Sequence, residues 1–115
     1  MLLWGEREFM LWVKIFSSRE EARKRVFPGT TQLLIVHGKR ICLALLDQQF
    51  YAVEDRCSHQ GESLSKGKIN YLGEVICPWH GYRFNLKTGR ESDERSKDIG
   101  CYPIREDGQG VFIGL

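Results

Sequence analysis

Cys57-Ser-His59 and Cys77-Pro-Trp-His80, separated by 17 residues, decide the reading of this chain. Each is a short segment carrying one thiol and one imidazole, so two segments supply a complete four-donor set. A Cys₂His₂ count alone suits zinc as well as iron. The order of the donors is narrower. A zinc finger of the usual kind keeps its cysteines together and its histidines together. Here the cysteine leads both segments, with histidine at i+2 in one and i+3 in the other. Each loop therefore offers one soft and one borderline ligand. That pattern suits a two-iron cluster in which one iron takes both thiolates and the other both imidazoles.

On these residues the chain resembles the Rieske [2Fe–2S] proteins. Cys57-Ser-His59-Gln-Gly61-Glu-Ser-Leu64-Ser-Lys-Gly67 is similar to the family's first cluster loop. Cys77-Pro78-Trp79-His80-Gly81-Tyr82-Arg83-Phe84-Asn85-Leu86-Lys87-Thr88-Gly89 is similar to its second loop with the following strand and turn. The resemblance implies one [2Fe–2S] cluster held by Cys57, His59, Cys77 and His80, the imidazoles binding through Nδ1. It places Gly61, Leu64, Pro78, Trp79, Gly81, Tyr82 and Phe84 around the cluster or its docking face. Gly61 and Gly81 stand where the backbone must turn tightly, and their N–H groups are expected to reach sulfide. Leu64, Pro78 and Trp79 are expected to form an apolar collar at the tip.

A length of 115 residues allows one domain, expected over residues 10–115, with residues 1–9 an extension or Met10 the native start. A net charge of +2 with 28% charged residues describes an ordinary surface. The basic cluster Arg19, Arg23, Lys24 and Arg25 sits beside Glu20 and Glu21 and reads as a solvated helix face, not a nucleic-acid site. Residues 9–16 are apolar apart from Lys14, well short of the roughly 20 needed to span a bilayer. No basic segment followed by an apolar one marks a secretory signal. The protein is expected to be soluble and cytoplasmic, without the membrane helix of quinol-oxidising Rieske subunits. Cys42 and Cys101, outside the motif, are expected to be free buried thiols in that compartment.

The rest of the chain reads as β structure. Met10–Phe16 is an apolar strand, and Ser17 or Ser18 with Glu20 or Glu21 opens one short helix ending near Arg25. Leu33–Val36 and Ile41–Leu46 form a hairpin around His37-Gly38-Lys39, where His37 is a surface residue. Phe50–Val53 follows the turn at Asp47-Gln48-Gln49. Glu74–Ile76 leads into the second ligand loop and Tyr82–Leu86 leads out. Gly100–Arg105 and Gly110–Leu115 close the chain, hinged at Glu106-Asp107-Gly108. The fold class is all-β: a Rieske-like antiparallel β sandwich or barrel with one short helix and the cluster on two loops at the tip.

The resemblance also carries expectations about function. A soluble one-electron carrier, like the Rieske-type ferredoxins of multicomponent oxygenases, would take electrons from a flavin-dependent or similar reductase. It would deliver them to a terminal oxygenase or other oxidoreductase. A terminal oxygenase itself needs a second iron held by two histidines and a carboxylate, and only His37 remains for that. An accessory or redox-sensing subunit, as in nitrite reductases, is the alternative, with a structural zinc module more remote. The chain departs from the family's third, proline-containing loop, because residues 91–98 read Glu-Ser-Asp-Glu-Arg-Ser-Lys-Asp. The cover is expected to be either shorter, or wetter and more electrostatically tuned.

The potential can be placed as well. High-potential members have a disulfide between the loops, and Glu62 and Trp79 occupy the corresponding positions here. They also have a Ser and a Tyr, whose hydroxyls donate to cluster sulfurs, where this chain has Tyr82 and Phe84, and Phe84 has no donor at all. Hydrogen bonds to charged groups contribute about 1.5–3 kcal/mol, so each missing donor lowers the potential by up to roughly 60–130 mV. The midpoint at pH 7 is therefore expected in the lower half of the Rieske range, nearer about −150 mV than +300 mV. Potentiometric titration checks this, and a midpoint above about +100 mV contradicts it.

Overall fold

The computed structural model describes residues 10–115; what the sequence implies for residues 1–9 lies outside the described residues. The strands are β1 (Trp12–Phe16), β2 (Thr30–Val36), β3 (Lys39–Leu46), β4 (Gln49–Glu54), β5 (Lys68–Ile69), β6 (Glu74–Ile76), β7 (Arg83–Asn85), β8 (Cys101–Tyr102), β9 (Ile104–Asp107) and β10 (Gly110–Gly114). Helix α1 covers Arg19–Arg25. Three antiparallel sheets result, ordered β1-β10-β9, β2-β3-β4-β8 and β5-β6-β7. None closes into a barrel.

The middle sheet organises the other two. Ile41, Leu43 and Leu45 of β3, with Phe50 and Ala52 of β4, pack into one core with Phe16, Ala22, Val26, Val111 and Ile113. Alternate residues Cys42, Ala44 and Val53 point the other way, into a second core with Leu64, Val75, Phe84 and Leu86. Strand alternation makes this possible, because successive side chains leave a strand on opposite faces. An unbroken apolar run such as Ile41–Leu45 is the signature of a strand buried on both sides. The second core is the floor on which the two ligand loops rest.

Local signals explain the connections. Ser18 caps α1, its Oγ accepting from the Glu21 N–H at 3.1 Å. The Glu21 carboxylate accepts in return from Ser17 N–H and Oγ, so the capping box closes one residue earlier than in its usual form. His37-Gly38 and Asp47-Gln48 all have positive φ, the twist that two-residue hairpin turns require. The strand expected over Gly100–Arg105 is split instead. Pro103 has no N–H for a ladder, and it separates β8, paired with β4, from β9, paired with β10. The final turn falls at Gly108-Gln109, since β9 continues through Asp107.

One thiol departs from expectation. Cys42 is buried and free, but Cys101 is exposed. It lies on the two-residue edge strand β8, where no further strand covers it.

Gly67 ties the two ligand loops together. A Cβ there would lie 1.9 Å from the carbonyl oxygen of Ile76, the residue before Cys77. The backbone φ of −88° is one any residue adopts, so the requirement is purely for space. Gly67→Ala is expected to cost the upper end of about 1–3 kcal/mol through overpacking, lowering Tm by about 10 °C. Gly108→Ala, with nothing within 4 Å of its added Cβ, should leave Tm unchanged. Thermal unfolding by far-UV circular dichroism checks the pair, and equal Tm values for both variants would contradict the close approach.

Candidate metal centre

Both ligand loops are closed by the same two backbone bonds. The Cys57 N–H donates to Glu62 O at 2.8 Å, and the Gly61 N–H donates to Cys57 O at 2.7 Å. In the second loop the Cys77 N–H donates to Tyr82 O at 2.7 Å, and the Gly81 N–H to Cys77 O at 3.1 Å. Each loop thus bends around its own cysteine, with a glycine four residues on. Gly61 and Gly81 have φ of +78° and +73°, conformations that a residue with a Cβ resists. Their N–H groups therefore bond carbonyls inside the loops, in place of the sulfide expected from the sequence.

This frame sorts the four donors by depth. Cys57 and Cys77 are 1% and 3% exposed, at the top of the second core. His59 and His80 are exposed above them, with ring centroids 5.2 Å apart. Burial pushes the Cys57 thiol up from its ordinary pKa. Backbone N–H groups of His59 and Gln60 aimed at its sulfur oppose that shift, and the adjacent Cys77 sulfur adds to it. Donors aimed at a sulfur favour its thiolate form. Among the described residues no three His, Cys, Asp or Glu side chains converge on one ion-sized point. The donors stand as two pairs, a buried sulfur pair and an outer imidazole pair. The residues present fit a two-iron cluster.

The surroundings differ in part from expectation. Phe84 is fully buried in the same core as both cysteines, a site without a hydroxyl. Trp79 is 63% exposed, its ring 5.5 Å from that of His80, and Pro78 beside it is exposed. Leu64 is not part of this rim. It opens a 3₁₀ turn, Leu64–Lys66, and points into the second core with no exposure. The collar consists of Pro78 and Trp79 alone. Tyr82 lies flat on His59, with centroids 4.2 Å apart and planes 9° apart.

Three anchoring residues carry no ligand motif and were not identified from the sequence. Asp55, two residues before Cys57, accepts from Ser65 N–H at 2.6 Å and from the Ser63 hydroxyl, closing the first loop from below. Glu91 is completely buried. It accepts from the backbone N–H of Asp93 and Arg95 and from the Arg95 guanidinium at 2.9 Å. Arg95 in turn lies 3.9 Å over the Tyr82 ring. The same segment reaches the first loop, where Ser58 Oγ and Ser96 Oγ are 2.6 Å apart. Residues 91–98 thus form the third cover without a proline, through charge and hydrogen bonds. The only sequence signal for it is a Glu–Arg pair four residues apart in a stretch with no helical pattern.

With the geometry in place, known proteins give a consistent comparison. The Rieske [2Fe-2S] domain family matches residues 11–103. The 3-phenylpropionate/cinnamic acid dioxygenase ferredoxin subunit of Escherichia coli K12 is 38% identical over 76 residues, 65% of this chain and 72% of that protein. The ferredoxin fold in a complex of reduced oxygenase and oxidized ferredoxin of carbazole 1,9a-dioxygenase matches with a TM-score of 0.74 at 27% identity, over 89% of this chain and 91% of that one. A chain described as an NADH-dependent nitrite reductase small subunit from Mycobacterium tuberculosis has a TM-score of 0.78 at 20% identity, over 93% and 96% of the two chains. This protein belongs to the Rieske [2Fe–2S] domain family. It is a Rieske-type ferredoxin, with a [2Fe–2S] cluster as cofactor and electron transfer as its function. No helix among the described residues is long and apolar enough to cross a membrane.

Glu91 gives a prediction for acid. Its carboxyl is lowered from an ordinary 4.5 to about 2, first by the hydrogen bond from the Arg95 side chain, with desolvation opposing. A depressed folded-state pKa contributes stability above the ordinary value, lost as pH falls from about 4.5 towards 2. Glu91→Gln is expected to lower Tm at pH 7 by about 5 °C or more. The gap to wild type should close over that acid window, at equal cluster loading judged by visible absorbance. Parallel curves would contradict the assignment.

Proposed function

We propose that Cys57 and Cys77 bind one iron and His59 and His80 the other, and that the chain passes single electrons to a terminal oxygenase. A flavin-dependent or similar reductase would be the donor, and the cytoplasm the compartment. When bound, the cluster supplies one reversible ferric/ferrous electron. Imidazoles in place of two thiolates leave the site less negative, which places its potential above that of four-cysteine clusters.

The observation that carries this reading is the separation of the donors by depth. The buried cysteines hold the inner side against the second core, while the imidazole edges meet solvent beside an exposed indole. A protein built to exchange electrons briefly needs such an edge and only a small contact, since transient redox interfaces are small. A single aromatic can dominate a contact of that size. The exposure of Trp79, with Pro78 beside it, supports it as that residue. The relative found in complex with an oxygenase supports the acceptor class. The likeness to a nitrite reductase small subunit is one of fold, at 20% identity, and retention of all four donors favours the carrier.

Purified protein should be red-brown, with two irons and two acid-labile sulfides per chain and an electron paramagnetic resonance signal after dithionite reduction. Trp79→Ala should retain that iron and slow reduction of the native acceptor by about tenfold in stopped flow. A colourless protein holding one zinc after iron-replete anaerobic expression would overturn the ligand assignment. Equal transfer rates for the two proteins would overturn the docking role. Stoichiometric co-purification with a large catalytic subunit would favour the accessory reading.

A further inference from the structure

We propose that Glu91, Arg95 and Tyr82 form a positioning device for the histidine side of the cluster. Anchored by Glu91, the Arg95 guanidinium presses Tyr82 flat against His59, fixing the plane of that imidazole and setting one positive charge behind it. The inference rests on the reading of His59 as an iron ligand and goes beyond it.

The chain of contacts is continuous and each link has one geometry. Glu91 has no exposure, and its two oxygens accept from Asp93 N–H at 3.2 Å, Arg95 N–H at 2.7 Å, Arg95 Nε at 3.3 Å and Arg95 Nη2 at 2.9 Å. A bidentate guanidinium pair fixes direction as well as distance. The guanidinium is thereby held over one face of Tyr82, at 3.9 Å. Its charge is attracted to the electron-rich ring face. Tyr82 also stacks on His59, nearly parallel at 4.2 Å, and two such close partners cannot share one face of the ring. The loop bearing Arg95 is tied to the loop bearing His59 a second time, by Ser96 against Ser58.

Two consequences follow for the site. A ligated imidazole keeps some freedom to turn about its bond to the metal, and a flat neighbour on one face restricts it. The cation lies directly on the ring that covers His59, and the anion meets that stack through Arg95. The pair therefore presents its positive end to the redox centre and favours the reduced form. A unit charge roughly 8 Å away, in a dielectric between protein and water, alters a one-electron equilibrium by about tenfold. Tyr82 and Arg95 are positioning residues in this account, acting through His59.

The test combines potentiometric titration with pulsed electron paramagnetic resonance of the histidine nitrogens in the dithionite-reduced holoprotein. Tyr82→Phe keeps the stack and should match wild type in both readouts. Tyr82→Leu should change the coupling of one of the two histidine nitrogens. Arg95→Gln should lower the ratio of reduced to oxidised protein about tenfold at fixed ambient potential, equivalent to a shift of ~59 mV for one electron. Because Arg95→Gln leaves Glu91 buried without its cation, the double variant Glu91→Gln with Arg95→Gln supplies a neutral pair that should show the same direction of shift. Unchanged nitrogen coupling in Tyr82→Leu and unchanged potential in both arginine variants, with only Tm reduced, would overturn the proposal and leave a structural brace. Two histidine nitrogens in wild type confirm the ligand reading independently. Their absence would overturn that reading and, with it, this one.

Discussion

Everything in the candidate site depends on how each of its two cysteines is tied within its own loop. The N–H and C=O of Cys57 and of Cys77 are both used to close a tight turn, to the fifth and fourth residues on. With both peptide groups satisfied, the thiols face inward without leaving buried backbone donors unpaired. The histidine can then sit at i+2 or i+3, because the turn is set by the cysteine and the glycine, not by the imidazole. This explains why the two motifs differ in spacing yet deliver equivalent pairs of donors.

The floor beneath those turns comes from the middle sheet. Because β3 and β4 bury both faces, one pair of strands serves two cores. The first core, with α1 and the β1-β10-β9 sheet, provides general stability. The second includes the two cysteines and is closed by Leu64, Phe84 and Leu86. Filling such a space with apolar side chains shields the sulfurs on their inner side. Outer shielding is left to charged and polar groups, as the Glu91–Arg95 pair and the Ser58–Ser96 contact show.

What was legible in the sequence follows from how local each signal is. The tight turns at Gly61 and Gly81, the capped helix and the positions of the two hairpins are written in neighbouring residues and agree with the structure, although each hairpin turn is one residue shorter than the sequence suggests. Strand Glu74–Ile76 is placed correctly because it leads directly into a ligand loop. The two-residue β5 was missed, since Lys68-Ile69 is too short to show alternation. Leu64 reads as a rim residue because its place along the loop says nothing of depth; a 3₁₀ turn rotates it inward. Cys101 looked buried among apolar neighbours, but exposure there depends on the order of strands in the sheet. Glu91 and Arg95 bear on the site through a stack that no sequence pattern encodes.

The proposed centre has two inequivalent irons, one bound by Cys57 and Cys77 and the other by His59 and His80. Mössbauer spectroscopy of the oxidised, ⁵⁷Fe-enriched protein tests it most directly. Two quadrupole doublets of equal area with distinct isomer shifts are the predicted result, because thiolate and imidazole ligation give iron different electron density. A single doublet from two equivalent irons would contradict the sorting of donors by depth on which the site is built.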